Sequence, residues 1–175
     1  EMIAYLFSLL VTGSETTPMA TAGVFYYLAL HPEQKAAVVA DPSGLAKAAF
    51  METCRYDQPT NMLVRRARAD FELGGRQIRT GDRLLMVYAS ANRDEARFER
   101  ADAFDIFRPR KADMSFGTGP GFCLGAHLAQ FVGPMMVEEI LLAIGDYDLI
   151  ESRCERAYGE NMAGFNRVPI RFTTR

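Results

Sequence analysis

The sequence predicts a mainly α-helical protein carrying a small antiparallel β-sheet, and three observations lead there. Residues 1–30 are apolar nearly all round, residues 62–88 alternate between apolar and polar with glycine-bearing turns, and the chain beyond residue 125 returns to a helical repeat as far as Ile144. A chain of 175 residues with 49% hydrophobic content is long enough for one globular unit with a real core, and no repeat or low-complexity linker divides residues 1–175. Its formal net charge of −2 argues against a nucleic-acid binder, which would carry a clear basic excess.

In the first segment Ile3, Leu6, Phe7, Leu9 and Leu10, then Val24, Phe25 and Leu28, spread over more than one helix face, so this helix is expected to be buried on all sides. Its middle, Thr12-Gly13-Ser14-Glu15-Thr16-Thr17-Pro18, combines glycine, hydroxyls and proline, each of which weakens the backbone ladder; a local distortion is expected there. Pro32 suits the first position of a helix to Ala40, and Asp41-Pro42-Ser43-Gly44 forms a turn whose Asp41 or Ser43 caps a helix over residues 45–56. Within that helix Glu52 and Arg55 are three apart and share a face.

Strands are expected over residues 62–67, 70–73, 77–79 and 83–88, joined by Gly74-Gly75 and Thr80-Gly81-Asp82 turns. A short helix or turn at 89–97 leads into an irregular charged stretch to Lys111. The helix after residue 125 is expected to kink at Gly133-Pro134 and to end at Gly145-Asp146. Residues 167–172 read as a strand, and Gly164-Phe165 as a turn.

Cys54, Cys123 and Cys154 are odd in number and widely spaced, with no C-x-x-C pair, so a reducing compartment is expected rather than a disulfide framework. His31 precedes a helix boundary and His127 follows Cys123 by one turn; both read as packing or hydrogen-bonding residues. Glu1 opens an apolar run without the basic flank of a signal peptide, and that run falls short of the ~20 apolar residues of a bilayer span, so no membrane partner is expected.

The densest chemistry lies in Phe116-Gly117-Thr118-Gly119-Pro120-Gly121-Phe122-Cys123-Leu124-Gly125. The glycines permit positive φ and close approach of backbone to a flat ligand, while Pro120 stiffens the loop. Cys123 lies where backbone N–H groups and a helix N-terminus can stabilise a thiolate, a ligand for a soft or borderline metal.

The spacing Phe116-x-x-Gly119-x-x-x-Cys123-x-Gly125 resembles the haem-binding loop of the cytochrome P450 family. The resemblance implies that Cys123 is the metal ligand of haem b, with Phe116, Gly117, Gly119 and Gly125 shaping its loop and Arg65 gripping a propionate. Gly13, Glu15 and Thr16 match the family's oxygen-activating motif, with Thr12 in the small-residue place; these imply catalytic roles in proton delivery. Glu52 and Arg55 match its E-x-x-R, with Arg108 completing a structural triad, and Asn61, Met62, Leu63 and Phe165 are implied to line the substrate pocket. Gly121 stands where the family usually has a basic residue for a propionate, and Gln130 where a basic residue often helps dock an electron donor.

The implied fold is the C-terminal portion of the cytochrome P450 fold, starting within the long central helix, with the N-terminal helices absent. Another segment or self-association is then expected to cover the first helix. The implied activity is that of a haem-thiolate monooxygenase resembling soluble, cytoplasmic bacterial members. Such an enzyme inserts one oxygen atom from O₂ into a small organic substrate, with NAD(P)H electrons arriving through ferredoxin or a similar donor. The alternative is a truncated, non-catalytic piece that holds no haem on its own.

Overall fold

Proline fixes where the second and third helices begin. In the computed structural model, which describes residues 1–109 and 111–173, Pro32 opens helix α2 (Pro32–Ala40) and Pro42 opens helix α3 (Pro42–Tyr56). Each occupies a first-turn position whose N–H would have no helical partner. Asp41 caps α3, its carboxylate accepting the Gly44 N–H at 3.0 Å, so this helix starts three residues before the expected position 45.

Helix α1 (Met2–Leu30) runs unbroken through the expected distortion. Thr12, Ser14 and Thr16 each donate their hydroxyl to a carbonyl of the preceding turn, Thr16 to Thr12 at 3.0 Å, and Pro18 offers Ser14's carbonyl no N–H. The ladder is weakened there without being opened. Burial also differs from expectation: Ala20, Val24, Phe25 and Leu28 enter the core, whereas residues 2–11 are exposed, with Ile3 at 82%. A segment apolar on every side gives no face a preference, so its pattern does not say which half is covered.

The core lies where α1, α3 and helix α5 (Ala126–Ile144) pack together. α5 is long and apolar enough to span a bilayer by length and composition, yet Val137 and Leu141 are buried in this core. It continues through Gly133-Pro134 without interruption. A Cβ on Gly133 would fall 2.2 Å from a ring carbon of the buried Phe50 of α3, so the Phe50 ring packs directly on the α5 backbone. Gly133→Ala is expected to destabilise the fold by about 1–3 kcal/mol through overpacking, measured as a lowered urea midpoint at unchanged slope. An unchanged midpoint would mean that the Phe50 ring is free to turn aside.

The small antiparallel sheet expected over residues 62–88 forms as two two-stranded ladders, and the described residues carry two more near the C-terminus. Strand β1 (Met62–Arg66) pairs with β4 (Arg83–Val87), and β2 (Phe71–Leu73) with β3 (Arg76–Ile78) across the Gly74-Gly75 turn, where both φ values are positive. β4 runs directly into the one-turn helix α4 (Tyr88–Ala91). Near the C-terminus β5 (Tyr147–Leu149) pairs with β8 (Ile170–Phe172), and β6 (Glu155–Tyr158) with β7 (Ala163–Arg167). Residues 163–167 therefore form a strand, in place of the turn expected at Gly164-Phe165.

Candidate cofactor site at the Cys123 loop

The loop before α5 is closed by its own backbone. The Cys123 N–H donates to the Phe116 carbonyl at 2.8 Å, and Gly117 and Gly119 take φ of 71° and 65°, values that only glycine adopts at little cost. The Ala126 N–H donates to the Cys123 carbonyl at 3.2 Å, which delivers the chain into α5. The Cys123 thiol is thereby exposed at the loop's end, and Gly125 keeps the space beside it clear: a Cβ there would stand 4.0 Å from Sγ. Phe116 is half-buried and packs on the core, so the loop is anchored at one end and open at the other.

Arg65 reaches this loop from β1. Its Nη2 lies 2.8 Å from where a Cβ on Gly121 would be, so the missing side chain at 121 is what admits the guanidinium. Side chains alternate along a strand, which puts Leu63 on the Cys123 side of β1 with Arg65 and turns Met62 away. Asn61, Met62 and Leu63 are all half-buried.

These features fit a flat amphipathic macrocycle. Among the described residues no group of three or more His, Cys, Asp or Glu side chains gathers to hold a metal ion, so a metal at Cys123 needs its remaining ligands from a cofactor. Exposed apolar side chains of Phe122 and Leu124 flank Cys123 in sequence, the latter 69% exposed, and the Arg65 cation stands over Gly121 in the same loop. His127 is exposed, and His31 hydrogen-bonds through Nδ1 to the Tyr27 carbonyl at 2.7 Å.

Behind the loop, Glu52 and Arg55 are buried at 6% and 3% exposure and form a bidentate pair at 2.7 and 2.9 Å. Arg55 also donates to the carbonyls of Asn92, Ala101 and Ala103, and Glu52 accepts the Asp105 N–H at 2.9 Å. Arg108 approaches Glu52 only to 3.5 Å and spends its other donors on the carbonyls of Glu99, Arg100 and Ala103. All three expected residues meet, with Arg55 making the stronger contribution.

Two further networks escaped the sequence reading. Fully buried Asn92 donates to Gln58 at 2.8 Å and accepts the Met114 N–H at 2.6 Å, while Gln58 donates to the carbonyls of Met114 and Ser115. Together they hold the residues immediately before Phe116; the only hint in the sequence is the amide and charge pair Asn92-Arg93 closing a run of small residues. The second network is the Asp57–Arg156 ion pair, with the Tyr27 hydroxyl 3.2 Å from Arg156. Burial, then the Asp57 carboxylate, pushes the Tyr27 hydroxyl up, and the hydrogen bonds that Arg156 donates to Asp57 push its guanidinium up.

Phe165 lies on β7 opposite Arg156, its ring buried at 5% exposure, 4.4 Å from the Tyr26 ring and 4.6 Å from the Arg156 guanidinium. The hairpin residue beside residues 60–63 is half-buried Met162, bridged to Thr60. On α1, Thr16 is half-buried whereas Thr12, Gly13 and Glu15 are exposed.

The Cys123 thiol is thus exposed at the end of a glycine loop that leads into the core helix α5. The family profile described as Cytochrome P450 matches residues 44–143. Among curated proteins the chain is 36% identical over 171 residues to "Putative cytochrome P450 123" of Mycobacterium tuberculosis, covering 97% of this chain and 42% of that protein. To "Cytochrome P450-terp" of Pseudomonas sp it is 37% identical, covering 97% and 39%. Among solved structures, CYP109Q5 from Chondromyces apiculatus superposes with a TM-score of 0.89 at 35% identity, over 96% of this chain and 43% of that one. CYP109E1 from Bacillus megaterium, in complex with testosterone, reaches 0.93 at 27% identity, over 99% and 48%. The chain belongs to the cytochrome P450 family, and it spans about two fifths of the length of the curated relatives it matches.

Proposed function

We propose that this chain is the haem-binding part of a cytoplasmic monooxygenase. The enzyme inserts one oxygen atom from O₂ into a small organic substrate, with electrons from NAD(P)H delivered by ferredoxin or a similar donor. The observation that carries the reading is the Cys123 thiol, exposed at the end of a loop closed by the Phe116 carbonyl, with Arg65 lying over Gly121. Haem bound there supplies the iron for O₂ activation, and a thiolate ligand favours O–O cleavage.

The chain's own residues hold, orient and donate. Cys123 offers the soft anionic ligand, Arg65 pairs with a propionate, and the Glu52–Arg55 pair keeps the supporting loop in place. Thr16 rests with its hydroxyl hydrogen on the Thr12 carbonyl, leaving its lone pairs able to accept a hydrogen bond from water, with Glu15 beside it as an exposed carboxylate. Leu63 faces the Cys123 side, where it contributes apolar contact to a substrate. The exposed apolar face of residues 2–11 suits cover by further polypeptide or a second copy.

The test is the absorption spectrum of the reduced, CO-treated protein alongside its intact mass. A red-shifted thiolate band supports the reading; bound haem without that band overturns it, and haem-free protein at the mass of 175 residues favours a non-catalytic piece. Given the band, Thr16→Ala is expected to leave haem binding and reduction intact while product formed per NAD(P)H consumed falls by about 10-fold or more. Coupling at the wild-type level in Thr12→Ala/Thr16→Ala would reduce this segment to a packing role.

A further inference from the structure

Two segments far apart in sequence form a short seam. The Asn61 N–H donates to the Asn161 carbonyl at 3.0 Å, the Ala163 N–H donates to the Pro59 carbonyl at 2.9 Å, and Thr60 bridges to Met162 between them. A single rung of this kind is marginal on its own. Gly164 then rests on Met19 of α1, where a Cβ would come within 2.9 Å of the Met19 side chain, less than one turn beyond Thr16. The seam thus stands beside α1 just beyond Thr16, with residues 59–61 on one side of it and 161–163 on the other.

Directly behind the seam, Asp57 follows the last residue of α3 and Arg156 lies on β6. Their contact is a fork, with Nη2 to Oδ1 at 2.8 Å and Nη1 to Oδ2 at 2.9 Å. The guanidinium carbon lies 4.6 Å over the Phe165 ring, and Nη1 adds the Tyr27 hydroxyl of α1 at 3.2 Å. The side chains are 16% and 25% exposed, so the pair is shielded well beyond an ordinary surface ion pair. Planar, two-point contact fixes orientation as well as distance, which an ammonium cannot do.

We infer that the Asp57–Arg156 fork is a positioning device: it locks the seam between residues 59–63 and 161–163, and through the seam it sets the width of the ligand gap over α1. Neither residue lies in the seam itself; both act through the backbone that follows them. The ligand half of this statement rests on the proposed monooxygenase function, whereas the seam half does not.

Arg156→Lys keeps the charge and removes the fork. Native-state hydrogen exchange should then show the Asn61 and Ala163 amides exchanging about 10-fold faster, with the Cys123 and Ala129 amides unchanged. Tyr27→Phe, which removes only one contact to Nη1, should give a smaller rise at the same two amides and stands in if Arg156→Lys fails to fold. Uniform acceleration at all four amides, or none, overturns the inference. In the haem-loaded protein, imidazole and 1-phenylimidazole titrations should show the ratio of their Kd values shifting about fivefold while the CO band stays in place. An unchanged ratio removes the ligand half. A wild-type protein lacking the thiolate band refutes the proposed function instead and leaves the exchange result to decide the seam.

Discussion

Under the proposed function, Cys123→Ser is expected to abolish the thiolate CO band and with it the oxygenase activity. A neutral hydroxyl is a poor donor to iron, and the loop offers no substitute: His127 is exposed one turn on, and no His, Cys, Asp or Glu cluster gathers nearby among the described residues. The fold itself should survive. The loop's geometry comes from the Phe116 carbonyl, the positive φ of Gly117 and Gly119 and the Ala126 N–H, none of which uses the sulfur. Wild-type circular dichroism and urea midpoint with no red-shifted band would locate the defect at the ligand, whereas an unchanged band would refute the assignment of Cys123.

Arg55→Met is expected to cost about 3–5 kcal/mol, because it leaves a carboxylate buried without its partner. Glu52 would lose both bonds of the fork, and the carbonyls of Asn92, Ala101 and Ala103 would each lose a donor. Arg108→Met should cost clearly less, since its approach to Glu52 is 3.5 Å and the Asp105 N–H still serves that carboxylate. Denaturant unfolding of the two variants side by side checks the order. A larger loss at Arg108 would mean that its contacts to the Glu99, Arg100 and Ala103 carbonyls, rather than the Glu52 pair, hold the loop.

What the sequence disclosed follows the range of the forces involved. Helices α2 and α3 were legible because Pro32, Pro42 and Asp41 act on their own neighbours. The Glu52–Arg55 contact was legible for the same reason, being one helical turn long. The pairing of β5 with β8, and the Asn92–Gln58 hub, depend on partners that local pattern cannot specify. Gly164-Phe165 reads locally as a turn because glycine marks turns, whereas the pairing of Gly164 with Ala157 and of Phe165 with Arg156 places both in β7. Gly121 was noticed as a departure, but its use as clearance for Arg65 emerged only from the packing.

The Asp57–Arg156 fork spans 99 residues of chain, and that separation has a kinetic meaning. Closing so long a loop is entropically unfavourable until the intervening β-ladders, the cysteine loop and α5 have already drawn its ends together. The seam is therefore expected to form late in folding, after those elements have packed. A substitution that weakens it should speed unfolding while leaving the folding rate nearly untouched.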